Sequence, residues 1–259
     1  MLLLIDIGNT RLKWAIAPSA SPTGDDGRRW LHSGALAHHA MEQMPALLQQ
    51  HPIRRVLISN VAGHAVRAAL DALLTPAVVG RVVEVQWFAS SAALAGVRNG
   101  YRDPLQLGCD RFASAIGAHA LYPGEAMIVV NAGTATTIDA LTADGRFLGG
   151  MILPGLDLMT ASLAKGTAQL PQVASDAGAT GPLTIFADNT RQAILAGCLQ
   201  AQTGAIEAAV ATHAATGGDK VRCLVSGGSA ASLLPNLRID AEFVEQLVLI
   251  GLHEVALCS

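Results

Sequence analysis

Three short stretches of this chain carry side chains that can hold a phosphate or move a proton. The first is Asp6-Ile7-Gly8-Asn9-Thr10, followed by Lys13. It lies where an apolar run stops and an alternating pattern through Leu12, Trp14 and Ile16 begins, so it reads as the turn of a β-hairpin. Glycine admits positive φ or the close approach of a ligand, while Asn9 and Thr10 offer amide, hydroxyl and main-chain donors at the tip. Such a tip can cradle phosphate, and it can equally be an ordinary hairpin turn. The second stretch, Gly108-Cys109-Asp110-Arg111, puts a carboxylate and a guanidinium at the start of a helix expected over residues 113–121. Asp at a helix N-terminus is also favoured for capping reasons alone. The third is Asn131-Ala132-Gly133-Thr134, between an apolar strand and a β-rich strand that contains Asp139.

The first and third stretches stand in equivalent places. Each follows an apolar strand, presents Asp6-x-Gly8 or Asn131-x-Gly133, and continues into a second strand. Each then reaches an Asp-Gly turn, Asp26-Gly27 or Asp144-Gly145, before a third strand. Two donor-rich tips, one per half, can face each other across a cleft and grip successive phosphates of one nucleotide. Their repetition favours phosphate binding over a chance turn.

Positioning such tips takes an α/β frame. Beyond the hairpins, strands are expected over residues 30–36, 55–60, 81–88, 147–148 and 221–225. Helices are expected over 41–50, 65–74, 113–121, 158–164, 190–215 and 242–255. Residues 18–29, 90–106 and 166–181 are interrupted by Gly and Pro and read as loops, and Gly217-Gly218 ends the long helix. Ser226-Gly227-Gly228-Ser229-Ala230 is a Gly-rich strand-to-helix turn, where the adenosine part of a nucleotide can lie close to the backbone.

Composition narrows the classes. A 259-residue chain with 51% hydrophobic content can bury a sizeable core. A net charge of −3 without a Lys/Arg cluster offers little footprint for nucleic acid or anionic lipid. The four cysteines are scattered, with no C-x-x-C pair and no histidine at metal-ligand spacing. The N-terminal apolar run is short and interrupted by Asp6, and longer apolar stretches are broken before membrane-spanning length. A cytoplasmic protein with neither nucleic acid nor membrane as partner is expected.

Taken in order, Asp6 to Thr10 with Lys13, residues 101–111, 133–139 and 149–155, Asn189-Thr190 and Ser226-Gly227-Gly228 resemble the type III pantothenate kinases. That family is also named for the Bvg accessory factor and belongs to the actin-like, sugar-kinase and Hsp70 group of ATPases. The ordered set spans nearly the whole chain. The resemblance implies a duplicated ribonuclease H-like α/β fold, with a first domain over 1–112, a second over 113–259 and a cleft between them. It implies ATP-dependent phosphorylation of the 4′-hydroxyl of pantothenate, the first step of coenzyme A synthesis. It also implies a homodimer whose interface helps form the pantothenate pocket.

Under that resemblance, Asp6 would hold Mg²⁺, partly through water. Gly8, Asn9, Thr10 and Lys13 would contact the phosphates of ATP, with Gly133 and Thr134 in support. Asp110 would be the general base. Arg111 would bind the polar end of pantothenate or stabilise developing charge. Tyr101, Gly108 and Thr190 match positions lining the pantothenate pocket, Thr190 from across the dimer, and Thr167 is a further candidate. Asp139 would act in the nucleotide site or organise the second hairpin. Asn131 stands where relatives commonly carry Asp, a residue resembling a ligand for K⁺ or NH₄⁺. Its uncharged oxygen implies weak or no dependence on a monovalent cation. The competing classes are a regulatory accessory protein, which charge and motif set disfavour, and an actin-like phosphohydrolase.

Overall fold

The computed structural model describes residues 1–19, 29–174, 184–217 and 220–258. The Asp26-Gly27 turn, Gly178 and Gly218 lie outside the described residues. The chain divides into two compact units, residues 1–121 with 246–259, and residues 122–245.

In the first unit, β1 (Leu2–Ile7) and β2 (Arg11–Ala17) form the hairpin expected from the sequence, and β3 (His32–Ala37) extends it antiparallel. Two parallel strands, β4 (Arg55–Asn60) and β5 (Glu84–Trp87), complete the order β3-β2-β1-β4-β5. Alternation along β1 sends Leu3, Ile5 and Ile7 into a core with Val56, Ile58, Met44, Leu48 and Leu70. Leu2, Leu4 and Asp6 take the other face. Both faces are covered, which is why β1 and β4 read as continuous apolar runs.

Several elements differ from expectation. Residues 41–50 split into a 3-10 turn, His38–Gln43, and α1 (Met44–Gln50), because Pro45 lacks an N–H and is tolerated only in a helix's first turn. α2 (His64–Leu73) and the short α3 (Pro76–Val79) precede β5. Residues 90–106 hold a small hairpin, β6 (Ala93–Leu94) and β7 (Val97–Asn99). Its turn places both Ala95 (φ 46°) and Gly96 (φ 82°) in the left-handed region. A 3-10 turn at Pro104–Gln106 then leads to α4 (Cys109–Leu121), which starts early enough to take Asp110 and Arg111 into its first turn.

The second unit repeats the layout of the first. β8 (Ala126–Ala132), β9 (Ala135–Leu141) and β10 (Arg146–Pro154) are antiparallel neighbours. β11 (Val221–Ser226) joins β8 in parallel and β12 (Ala241–Phe243) joins β11, giving β10-β9-β8-β11-β12. The correspondence holds to the residue. Asp6 pairs with Lys13 and Ser59 in register, and Asn131 pairs with Thr137 and Ser226.

α5 (Leu156–Gly166), α6 (Thr190–Gly217) and α7 (Ala230–Leu233) complete this unit. α6 is long and apolar enough to cross a membrane by length and composition, against the expectation that every apolar stretch is broken, since its glycines and Arg191 do not interrupt the helix. Here it is a core helix. Ile194, Leu195, Cys198, Leu199 and Ile206 pack with Ile128, Val130 and Val225, and Gln202 and Thr203 are buried.

Where a helix is expected from residue 242, the chain instead forms β12, and α8 (Leu247–Leu257) begins only after Gln246 takes a left-handed φ of 57°. α8 belongs to the first unit, where it lies against α4 at backbone distance. A Cβ on Gly251 would lie 1.8 Å from the Ala113 carbonyl oxygen, and one on Gly117 would lie 2.7 Å from that of Leu247. This interlock packs α4 and α8 together within the first compact unit, which runs to residue 121.

Candidate active site

Asp6 is the penultimate residue of β1, on the strand face opposite Ile5 and Ile7. Lys13 stands opposite it in the hairpin and Ser59 opposite it on β4. Ser59 Oγ lies 3.4 Å from Cys109 Sγ, and that thiol donates to the Asn60 carbonyl at 3.6 Å, tying the first residue of α4 to the end of β4. The next residue is Asp110, whose Oδ1 accepts the Arg111 backbone N–H at 2.8 Å. Arg111 is buried and donates from Nη1 to the Tyr101 hydroxyl at 2.8 Å, its guanidinium 5.7 Å from that ring's centre. Tyr101 is held in turn by the Asn99 side chain, which accepts the Tyr101 N–H at 3.0 Å and donates to the Pro104 carbonyl at 3.0 Å. Residues 99–106 are therefore an ordered support for Arg111.

The electrostatics set the two carboxylates apart from ordinary surface acids. Burial pushes Asp6 from 3.8 up to about 7, the charge of Asp110 adds to the rise, and Lys13 opposes it. Asp110 is also raised by burial, with the Arg111 N–H and guanidinium opposing. Burial raises the Cys109 thiol too, which makes it a poor nucleophile at neutral pH. Two desolvated carboxylates in electrostatic contact suit a hard divalent cation, whose charge would relieve both the burial and the repulsion. Among the described residues no cluster of three or more His, Cys, Asp or Glu could hold a metal. A cation here would draw its remaining ligands from water and phosphate, as Mg²⁺ commonly does.

The hairpin tip beside Asp6 is closed by the Gly8 N–H donating to the Arg11 carbonyl at 3.1 Å, leaving Asn9 and Thr10 exposed. His38 Nε2 lies 2.8 Å from the Gly8 carbonyl oxygen, a contact without a sequence signal.

In the second unit the equivalent tip is one residue shorter, closed by Gly133 N–H to the Ala135 carbonyl at 3.0 Å. Its backbone is packed against two glycines quoted above only as motif members. A Cβ on Gly155 would lie 2.2 Å from the Gly133 carbonyl oxygen, and one on Gly227 would lie 2.4 Å from that of Ala132. Gly155 N–H donates to the Thr134 carbonyl at 2.9 Å. Gln202, with no sequence signal, is buried beneath; it accepts from Thr136 Oγ1 at 2.9 Å and donates to the Pro154 carbonyl at 3.0 Å. Asp139 is buried within β9. Thr190 is exposed at the first residue of α6, capped by the Asn189 side chain accepting the Gln192 N–H at 3.0 Å. Thr167 uses its hydroxyl locally, donating to the Leu163 carbonyl at 2.8 Å.

Asp6, Gly8, Asn9, Thr10, Lys13, Tyr101, Gly108, Asp110 and Arg111 thus all belong to the first unit. Asn131, Gly133, Thr134, Asp139, Thr167 and Thr190 belong to the second. A duplicated β3-β2-β1-β4-β5 sheet with a polar turn after each first strand defines an actin-like, ribonuclease H-like ATPase fold. Solved structures agree. A Campylobacter jejuni protein of the Baf family is similar with a TM-score of 0.59 at 21% identity, over 98% of this chain and 96% of that one. A Sinorhizobium meliloti protein assigned as a 2-dehydro-3-deoxygalactonokinase is similar with a TM-score of 0.56 at 16% identity, over 99% and 98%. Residues 2–212 match the type III pantothenate kinase family. A type III pantothenate kinase of Janthinobacterium sp. (strain Marseille) is 51% identical over 258 residues, 99% of this chain and 98% of its own. This chain belongs to the type III pantothenate kinase family.

Proposed function

We propose that Asp110 is the general base that accepts the proton of the pantothenate 4′-hydroxyl, and that Asp6 anchors the divalent cation, Mg²⁺, that accompanies ATP. The reaction is that of the family: ATP-dependent phosphorylation of pantothenate, the first step of coenzyme A biosynthesis. The observation that carries the assignment is the pairing of two half-buried carboxylates, both raised by desolvation, beside a hairpin tip of exposed donors. The hydroxyl oxygen forms a bond to the γ-phosphorus as the bond to the β,γ-bridging oxygen breaks. The proton passes to Asp110 and ADP leaves. A carboxylate raised by burial is a stronger base than a solvated one, and that suits it to the proton's arrival. The cation would supply neutralisation of phosphate charge.

Gly8, Asn9, Thr10 and Lys13, with Gly133 and Thr134, would hold the phosphates. Arg111, pre-oriented by Tyr101, would take the polar end of pantothenate beside Gly108, and Thr190 of a second copy would complete the pocket in a homodimer. Asn131, neutral at the position matching Asp6, supports weak or no activation by K⁺ or NH₄⁺. A cytoplasmic location fits the substrates. The test is Asp110→Asn: kcat should fall by about 10² to 10⁴ while ATP affinity is retained. Turnover near the wild-type rate would overturn the base assignment, and ADP release independent of pantothenate would favour a phosphohydrolase.

A further inference from the structure

The two hairpin tips are restrained differently. The second is packed against backbone at Gly155 and Gly227, whereas the Gly8 carbonyl of the first is held by one side chain. His38 leads the 3-10 turn that follows β3 and reaches back to the Gly8 oxygen at 2.8 Å. A carbonyl oxygen only accepts, so His38 carries its proton on Nε2. Both the neutral tautomer that makes this bond and the imidazolium keep that proton.

The consequence follows from peptide geometry. In a planar trans peptide the carbonyl and the following N–H point in opposite directions. Fixing the Gly8 carbonyl toward His38 therefore turns the Asn9 N–H away from it. No group among the described residues accepts from that N–H, and Asn9 is exposed. The donor at the centre of the tip is thus aimed outward by a contact behind it. Without His38, this peptide can rotate between two orientations, one of which presents a carbonyl where a phosphate oxygen would sit.

We infer that His38 is a positioning residue for nucleotide binding, which holds the Gly8–Asn9 peptide with its N–H presented to a phosphate of ATP. This rests on the reading of the first hairpin as the phosphate grip. His38 acts through the loop carbonyl, so its removal should change nucleotide binding and leave pantothenate binding alone.

The experiment compares His38→Ala, His38→Gln and Lys13→Ala with the wild type in steady-state assays and by calorimetry with ADP and adenosine. His38→Ala should raise KM for ATP and Kd for ADP about fivefold, the size of one neutral hydrogen bond. KM for pantothenate and adenosine affinity should stay at wild-type values. His38→Gln places an amide donor at similar reach and should restore most of the loss. If His38→Ala keeps wild-type ADP affinity while Lys13→Ala loses it, the positioning role is wrong and the phosphate reading stands. If neither substitution alters ADP affinity, the phosphate reading fails and this inference with it. A loss in His38→Ala that extends to adenosine or pantothenate, or that Gln does not restore, marks a general structural role and overturns the inference.

Discussion

A Cβ on Gly108 would lie 2.7 Å from Asp110 Oδ1, the same oxygen that accepts the Arg111 N–H at 2.8 Å. The missing side chain at residue 108 is therefore what lets the Asp110 carboxylate fold back onto its own helix start. In Gly108→Ala the carboxylate must rotate away and give up that hydrogen bond. A displacement of this size at a reacting group can cost about 10²-fold in rate. We expect kcat to fall by that order, with ATP affinity unchanged because the hairpin at residue 8 is untouched. Steady-state kinetics with ATP titration decides it, and an unchanged kcat would show that this Asp110 geometry is not the reactive one.

Asp6 makes stability depend on pH in a stated direction. Its native pKa of about 7 stands above the ordinary 3.8, so the folded protein binds more protons than the unfolded chain between those values. The neutral carboxyl is tolerated at low pH, and charging it costs stability as pH rises through about 7. Without nucleotide or metal, Asp6→Asn should therefore melt above the wild type at pH 8 and alongside it at pH 4. A divalent cation should raise the wild-type Tm more at pH 8 than at pH 5, and should do little for the variant. Thermal melts across this range test both halves, and parallel pH profiles for the two proteins would contradict the assignment.

Arg111 and Tyr101 separate binding from catalysis. Tyr101→Phe removes the hydroxyl that accepts from the buried Arg111 guanidinium, a hydrogen bond to a charged group worth about 1.5–3 kcal/mol. The guanidinium then has freedom to leave the pose proposed to bind pantothenate. KM for pantothenate should rise while KM for ATP holds. Equal changes in both would place Tyr101 in general packing instead.

Much of this was legible in the sequence because its signals were local. The Asp6-x-Gly8 and Asn131-x-Gly133 turns each sit between apolar runs whose period of two fixes a hairpin, and both hairpins formed with equivalent registers. Asp110 and Arg111 were legible as a helix start, though the helix begins earlier, at Cys109. What the sequence concealed depends on long-range contact or rare backbone geometry. Ala95 and Gln246 adopt left-handed φ without being residues that favour it, so the β6–β7 hairpin and the late start of α8 gave no warning. Gln202 and His38 look like ordinary polar residues until the fold brings them to Thr136 and Gly8. The return of α8 to the first unit was hidden for the same reason, since an apolar helix does not name the surface it will cover.

That return leads to a last expectation, because α8 fixes α4, and α4 carries Asp110. Gly251 meets the Ala113 carbonyl so closely that an added Cβ would lie 1.8 Å from its oxygen, and the obstacle is backbone, which cannot swing aside as a side chain would. Gly251→Ala must push the two helices apart. Overpacking of this kind costs about 1–3 kcal/mol and sometimes more. The displacement also reaches the first turn of α4, one helical turn from Ala113. We therefore expect a lower urea midpoint together with a reduced kcat at temperatures where the variant is fully folded. A variant that loses stability but keeps the wild-type kcat would show that α4 absorbs the change before it reaches Asp110.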